Sequence, residues 1–319
     1  MTSTISNNPR DAAKGKRDAA RWAVASNTGL LMMKIVVGAV TGSVGVLAEV
    51  VNSGADLVGS LIVYLSVRVS DEPPDETHAY GHGKIENLSG IATATLILTG
   101  GCYAIVQAVR QLIHPEPLQH LNWALGTMAA SALVNYWVSR YLMQRGRDLD
   151  SPALLADGHH LKTDVITSLG VVLGLILVRV TGFAQWDSLA ALGVALLILY
   201  VGFSLARDAV FTLSDRVLPA AEVAILENVL RSNKEVLDFH KLRTRKSGSH
   251  RHADVHVQIA DTHTFVEAHR LTEDLEDQMR EALPNLHPII HMEPYEDEVE
   301  HQRAYHAQEK GRNSQNKSL

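Results

Sequence analysis

Only one cysteine, Cys102, is present and it lies in an apolar run, so the chain has neither an internal disulfide framework nor a cysteine-rich zinc module. Any metal must be held by carboxylates and by some of the 16 histidines. A phosphate-binding loop is missing as well. In Gly81-His82-Gly83-Lys84 no glycine stands five residues before Gly83, and Ile85 replaces the required Ser or Thr, so nucleotide hydrolysis has no support. No H-E-x-x-H motif accompanies the histidines, which counts against a zinc enzyme. A cleavable leader is not expected, because the first residues are polar and basic up to Arg21, unlike the short charged start of a signal peptide.

What is present is apolar length. The mean hydropathy of +0.01 averages very apolar stretches with polar ends. A hydrocarbon core of about 30 Å takes about 20 residues to cross, and runs of that order lie near 21–41, 44–67, 86–112, 121–143, 160–180 and 187–210. About six spanning helices are expected, in contact with lipid. The net charge of -6 says little, because the acids gather toward the C-terminus. Placement of the bases says more. Arg10, Lys14, Lys16, Arg17 and Arg21 precede the first run, Arg68 and Lys84 flank the second connection, and Arg140, Arg145 and Arg147 follow the fourth run. By the positive-inside rule both termini are expected to be cytoplasmic; the host membrane expected is the plasma (inner) membrane, which charge placement does not itself identify.

The long apolar runs stop at about Ser214. Beyond it, 220–232 reads as a helix, 235–245 as a strand ending in the turn Lys246-Ser247-Gly248-Ser249, and 253–259 as a second strand in which Val255, Val257 and Ile259 alternate with Asp254, His256 and Gln258. A helix over 264–283 and a strand over 288–293 complete an α-β-β-α-β order. The expected division is an N-terminal tail (1–20), a six-helix membrane domain (21–212), a small α/β domain (213–296) and a disordered tail (297–319). His250, His252, His287, His301 and His306 are expected to be solvated surface residues.

Polar pairs inside the apolar runs are the most informative feature. Asn52 and Asp56 lie four apart in the second run, and His160 and Asp164 four apart in the fifth. Residues four apart share a helix face. A carboxylate in mid-membrane costs about 2.5–3.5 kcal/mol on insertion scales, and such groups usually mark an ion path. Two such helices side by side offer three oxygens and one nitrogen, a set suited to a divalent transition metal. Between the second and third runs, Asp75, His78 and His82 recur at helical intervals. The soluble part adds His240, His256, His269, His291 and Glu293, which only a folded domain can bring together. Gly170 and Gly174 form a small-x-x-x-small pair expected to serve helix packing. Lys34, midway along the first run, can snorkel, pair with a carboxylate or line a cavity, and the sequence does not select among these.

Several motifs in order resemble the cation diffusion facilitator family of divalent metal transporters, zinc/iron branch, over about 21–294. They are Val46-Leu47-Ala48 through Asn52-Ser53 and Asp56, then Pro74-Asp75 through His78 and Tyr80-Gly81-His82-Gly83-Lys84, then Ala156-Asp157 through His160 and Asp164. The soluble part supplies His240 to Gly248 and Ile290-His291-Met292-Glu293-Pro294. The resemblance implies a homodimer that exports metal for protons, with a metallochaperone-like, ferredoxin-like cytoplasmic domain. It implies no prosthetic group, a divalent metal as substrate and regulator, and no nucleic-acid partner. It maps a transport site onto Asn52, Asp56, His160 and Asp164, a loop site onto Asp75, His78 and His82, and a cytoplasmic site onto His240, His256, His269, His291 and Glu293. It also maps a charge link near the dimer interface onto Lys84 and Asp215. Two departures from that branch are Asn52 and Glu293, each where an aspartate is usual. A metal-binding membrane scaffold that moves nothing is the rival from another class.

Overall fold

A computed structural model of the chain describes residues 9–41, 44–113, 121–182 and 185–296. Six long helices come first: α1 (Pro9–Thr41), α2 (Val44–Ser70), α3 (Lys84–Ile113), α4 (Leu121–Asp148), α5 (Pro152–Thr181) and α6 (Gln185–Leu213). Among the described residues, the stretches Asp11–Val40, Lys84–Ile113 and Ser188–Leu213 are long and apolar enough by themselves to cross a membrane. α5 carries Asp157, Lys162 and Asp164 in its first half. Outward-facing side chains such as Val180, Tyr200 and Phe203 are apolar and exposed. That is the surface an integral membrane protein turns to lipid. The expected tail at 297–319 lies outside the described residues.

The first helix begins at Pro9, well ahead of the apolar run. Proline suits the first helical position, and Asp11 complements the helix dipole there. The basic stretch is also anchored by a buried network at this end of the bundle. Lys16 Nζ donates to Glu86 Oε1 at 2.8 Å and lies 3.5 Å from Asp71, while Ser70 and Ser151 donate to the two Glu86 oxygens. Glu86 is fully buried, yet every oxygen is met. A second layer of small and branched residues joins α1 (Ala19, Ala20, Ala23), α2 (Val63, Val67), α4 (Leu142) and α5 (Ala153, Leu154, Leu161).

Close backbone approach holds the bundle. A Cβ on Gly158 would stand 2.7 Å from Met143 Cγ on α4, and one on Gly170 would stand 2.2 Å from Val194 Cγ2 on α6. Both positions on α5 therefore need glycine for contact.

The soluble unit, from Asp215 onward, runs α7 (Ala220–Ser232), β1 (Asp238–Ser247), β2 (His250–Ile259), α8 (Phe265–Ala282) and β3 (Leu286–Pro294). The sheet order is β1-β2-β3, antiparallel between β1 and β2 and parallel between β2 and β3. One face packs on the helices through Leu226, Leu230, Val255, Val257, Leu275 and Met279. Thr264 and Glu267 start α8 with a reciprocal capping box. Gly248, at φ 58°, takes the turn position that links β1 to β2. β2 and β3 run longer than their alternating cores suggested, whereas β1 starts and ends later than expected and contains an irregularity between His240 and Arg243, with Lys241 at φ 52°. That extra residue is a β-bulge. It lets Phe239 and Leu242 both pack on the core while His240 stays opposite His256 and Arg243 opposite Asp254.

Candidate metal centres

Asp56 of the first spanning pair meets both members of the second. α2 carries Asp56 and α5 carries His160 and Asp164, and one ligand atom from each falls within 4.8 Å of the others. His160 Nε2 lies 3.1 Å from Asp56 Oδ1, both side chains nearly buried. The second ring nitrogen, Nδ1, is buried without a hydrogen-bond partner among the described residues. Asn52 lies on α2, but its side chain falls outside the described residues.

Beside the triad is a cavity of about 60 Å³ lined by Asn27, Lys34, Ser53, Asp56, Asn135 and Asp164 among others. Lys34, left open by the sequence, is 4% exposed and donates to Ser53 Oγ at 2.8 Å. A cavity lining is therefore where it belongs. Behind His160, Asn27 donates to Ser60 at 2.8 Å, and Ser60 donates to the fully buried Asp157 at 3.1 Å. Asp157 holds no candidate-site role in the sequence reading. Its signal was available: an acid three residues before His160 shares that helix face.

The loop between α2 and α3 draws Asp75, His78 and His82 into a second group. His82 Nε2 is 3.4 Å and His78 Nδ1 3.6 Å from the Asp75 carboxylate. Asp75 also accepts from the backbone of His78 at 2.6 Å and from the hydroxyl of Thr77 at 2.8 Å. Those donors, the His78 amide first, hold its carboxyl down at about 2. The loop thus keeps a permanently ionised carboxylate between two imidazoles.

On the open face of the soluble sheet, β1, β2 and β3 supply a third group, His240, His256 and Glu293. His256 Nδ1 makes a very short contact with Glu293 Oε1, and His240 Nε2 is 3.4 Å from Oε2. Glu293 is buried, so its longer side chain folds back between the imidazoles. His291 stands beside the group, its Nε2 3.6 Å from Glu293, but is mostly exposed. His269 does not join it. That residue is exposed on α8, 3.6 Å from Glu273 one turn on. It lines, with His263, His291 and Glu293, a cleft of about 440 Å³. His263 was not singled out from the sequence.

Asp215 lies 3.6 Å from Arg245, and Lys84 opens α3. The trio His250, His252 and His287, expected to be scattered on the surface, gathers at the other end of the same sheet face. Burial first, then the cations Arg245, His287 and His250, push His252 down to about 4.

The model of the cation efflux transmembrane domain matches residues 20–214, and that of the cytoplasmic domain of cation efflux proteins matches 218–295. The chain belongs to the cation diffusion facilitator family. As a cation diffusion facilitator it is a cation-efflux transporter and not an enzyme, its substrate is a divalent metal, and its dimerisation domain makes it a homodimer. The cation-efflux pump FieF of Yersinia pestis is 35% identical over 285 residues, 88% of this chain and 94% of the relative. The FieF of Yersinia pseudotuberculosis aligns equally well. An uncharacterized transporter of Synechocystis, sll1263, is 33% identical over 266 residues, 83% of this chain and 86% of the relative.

Proposed function

We propose that this transporter carries divalent transition-metal ions, zinc first, out of the cytoplasm in exchange for protons, with Asp56, His160 and Asp164 as the moving site and Asn52 as a fourth, neutral ligand. The observation that carries the reading is the convergence of an imidazole and two carboxylates from α2 and α5 within 4.8 Å, deep in an apolar bundle where isolated charge is costly. Similarity to pumps named for cation efflux supports it.

Exchange follows from ligand chemistry. A dication needs neutral imidazole and ionised carboxylates, so metal and protons compete for the same atoms. His160, whose side-chain type titrates near neutrality, is the natural proton carrier. Protons from the release side unload the site, and the two loading states bias two helix arrangements to the extent that their affinities differ. Both termini face the cytoplasm in this reading, and the host is the plasma (inner) membrane. The basic residues beside α1, α2 and α4 support that orientation.

The loop group Asp75, His78 and His82 has a capture role here. The cytoplasmic group, His240, His256 and Glu293 with His291 and His269 at the cleft, senses metal and draws the subunits together. Lys84 and Asp215 are assigned to the same coupling as charged residues near the dimer interface. With Asn52 in place of an acid, the transport site carries two negative charges, which favours a weaker, less zinc-exclusive grip among zinc, iron, cobalt and manganese.

The deciding test is zinc flux in proteoliposomes under a pH gradient. Asp56→Ala and Asp164→Ala are each expected to lose at least tenfold of the flux. Undiminished flux in either variant overturns the assignment. In Asn52→Asp, the ratio of zinc to manganese flux is expected to rise.

A further inference from the structure

The open face of the soluble sheet carries imidazoles at both ends, and only one end belongs to the Glu293 group. At the other, His252 on β2 and His287 on β3 are partners in the parallel register, and His250 lies two residues earlier on the same face of β2. His252 is four residues from His256, about 13 Å along an extended strand. That is too far for the two clusters to share an ion.

One pair in the trio already has the spacing of ligands. His250 Nδ1 is 3.3 Å from His287 Nε2. Ring centroids are 5.4 Å apart for His250 and His287, and 5.3 Å for His252 and His287. Two imidazole nitrogens on one tetrahedral ion with bonds of about 2.0–2.1 Å stand about 3.3–3.4 Å apart, with ring centroids about 5.2 Å apart. The spacing thus already suits two rings holding an ion between them. His252 is stacked on His287 at 23°, and closing the set takes a rotation of its ring out of that stack.

We propose that His250, His252 and His287 form a further metal site, distinct from the Glu293 group, for a divalent ion that prefers nitrogen ligands. Zinc, cobalt, nickel and copper belong to that class, whereas magnesium and calcium demand oxygen. Two charged neighbours on the same face act in opposite senses. Arg245, opposite His252 across β1 and β2, opposes a cation but is drawn toward Asp215 at 3.6 Å. Asp254, the next outward residue of β2, favours one. An ion here pins the start of β3 to the start of β2 and lies outside the transport path.

The full-length protein, purified in detergent, tests this by zinc stoichiometry from equilibrium dialysis and elemental analysis. His250→Gln with His287→Gln is expected to lose one zinc ion per protomer relative to wild type and to keep its zinc flux in proteoliposomes. An unchanged stoichiometry overturns the site. Histidine footprinting with diethylpyrocarbonate on the wild-type protein gives a readout that needs no variant. Saturating zinc is expected to protect His250, His252 and His287 together and magnesium to protect none. If the three stay reactive in the zinc-saturated protein, the proposal is lost whatever the flux assay says of Asp56.

Discussion

Lys34 places a buried amino group in the same cavity as Asp56 and Asp164, two carboxylates of the proposed transport site, tethered to Ser53. An isolated cation in mid-membrane costs about 2.5–3.5 kcal/mol on insertion scales, so its neighbours must offset it. In the proposed mechanism, a positive charge here would repel an incoming dication and keep binding weak enough for release. Lys34→Met is expected to tighten zinc binding several-fold in a calorimetric titration while slowing turnover in proteoliposomes. Unchanged affinity would remove Lys34 from the electrostatics of the site. The sequence showed the lysine but left three roles open, because periodicity along one helix does not say which neighbour faces it. Asp56, His160 and Asp164 were legible for the opposite reason. Each lies in an apolar run where a polar residue needs a partner, and spacing of four fixes the face. Asp157 lies ahead of the 160–180 run, so only its spacing of three from His160 spoke for it.

Among elements, α5 depends on its glycines. Gly170→Leu would drive side-chain atoms into Val194, where a Cβ alone already stands at 2.2 Å, and must push α5 from α6. Loss of most zinc flux together with a lower melting temperature of the detergent-solubilised protein is the expected result. In the soluble domain, Arg251 on β2 donates two hydrogen bonds to Glu222 on α7, at 2.8 and 2.9 Å. That bonding, ahead of any other cause, lowers the Glu222 carboxyl below its ordinary value of 4.5. The folded state therefore takes up this proton less readily than the unfolded chain. The resulting stability is complete above about pH 4.5 and is lost as the pH falls through the lowered folded value. Because the pair is partly exposed, Glu222→Gln is expected to cost about 1 kcal/mol at neutral pH and to flatten that acid dependence, as read by denaturant unfolding. Helix and strand order was readable from hydrophobic period, but the start of α1 at Pro9 was not. A basic stretch reads as solvated until Glu86, 70 residues away in the chain, supplies a buried counter-charge. The bulge in β1 was equally hidden, since Lys241 at positive φ has none of the Gly or Asn signals that announce such a backbone.

For the whole molecule, the chain divides into a unit ending at Ser214 and one beginning at Asp215, each with its own core and its own clustered ligands. If the cytoplasmic group regulates transport, removing it should change the response to metal more than the transport step itself. His256→Ala with His291→Ala is expected to abolish the metal-dependent change in distance between soluble domains, measured by spin-label pairs across the homodimer, while flux at saturating zinc falls only a few-fold. Identical distance changes in wild type and variant would leave the cluster without a regulatory role. The division into a membrane bundle and a small α/β domain was plain from the end of the long apolar runs. The assembly of histidines was not, because His250, His252 and His287 are distributed over two strands that a helix separates, and only the parallel register brings them level.

The bulge at Lys241 makes β1 a strand of two phases. Ahead of it, an even-numbered residue, His240, looks onto the ligand-bearing surface; past it, the odd-numbered Arg243 and Arg245 take that surface. His240 and Arg243 are three residues apart, so in a regular strand, where side chains alternate, they would point to opposite faces; with Lys241 bulged out of the ladder, Leu242 alone answers Val255 and both residues reach the same surface. The bulge thus takes up the odd residue in the count, so that an imidazole and a pair of guanidinium groups share a single face of the sheet.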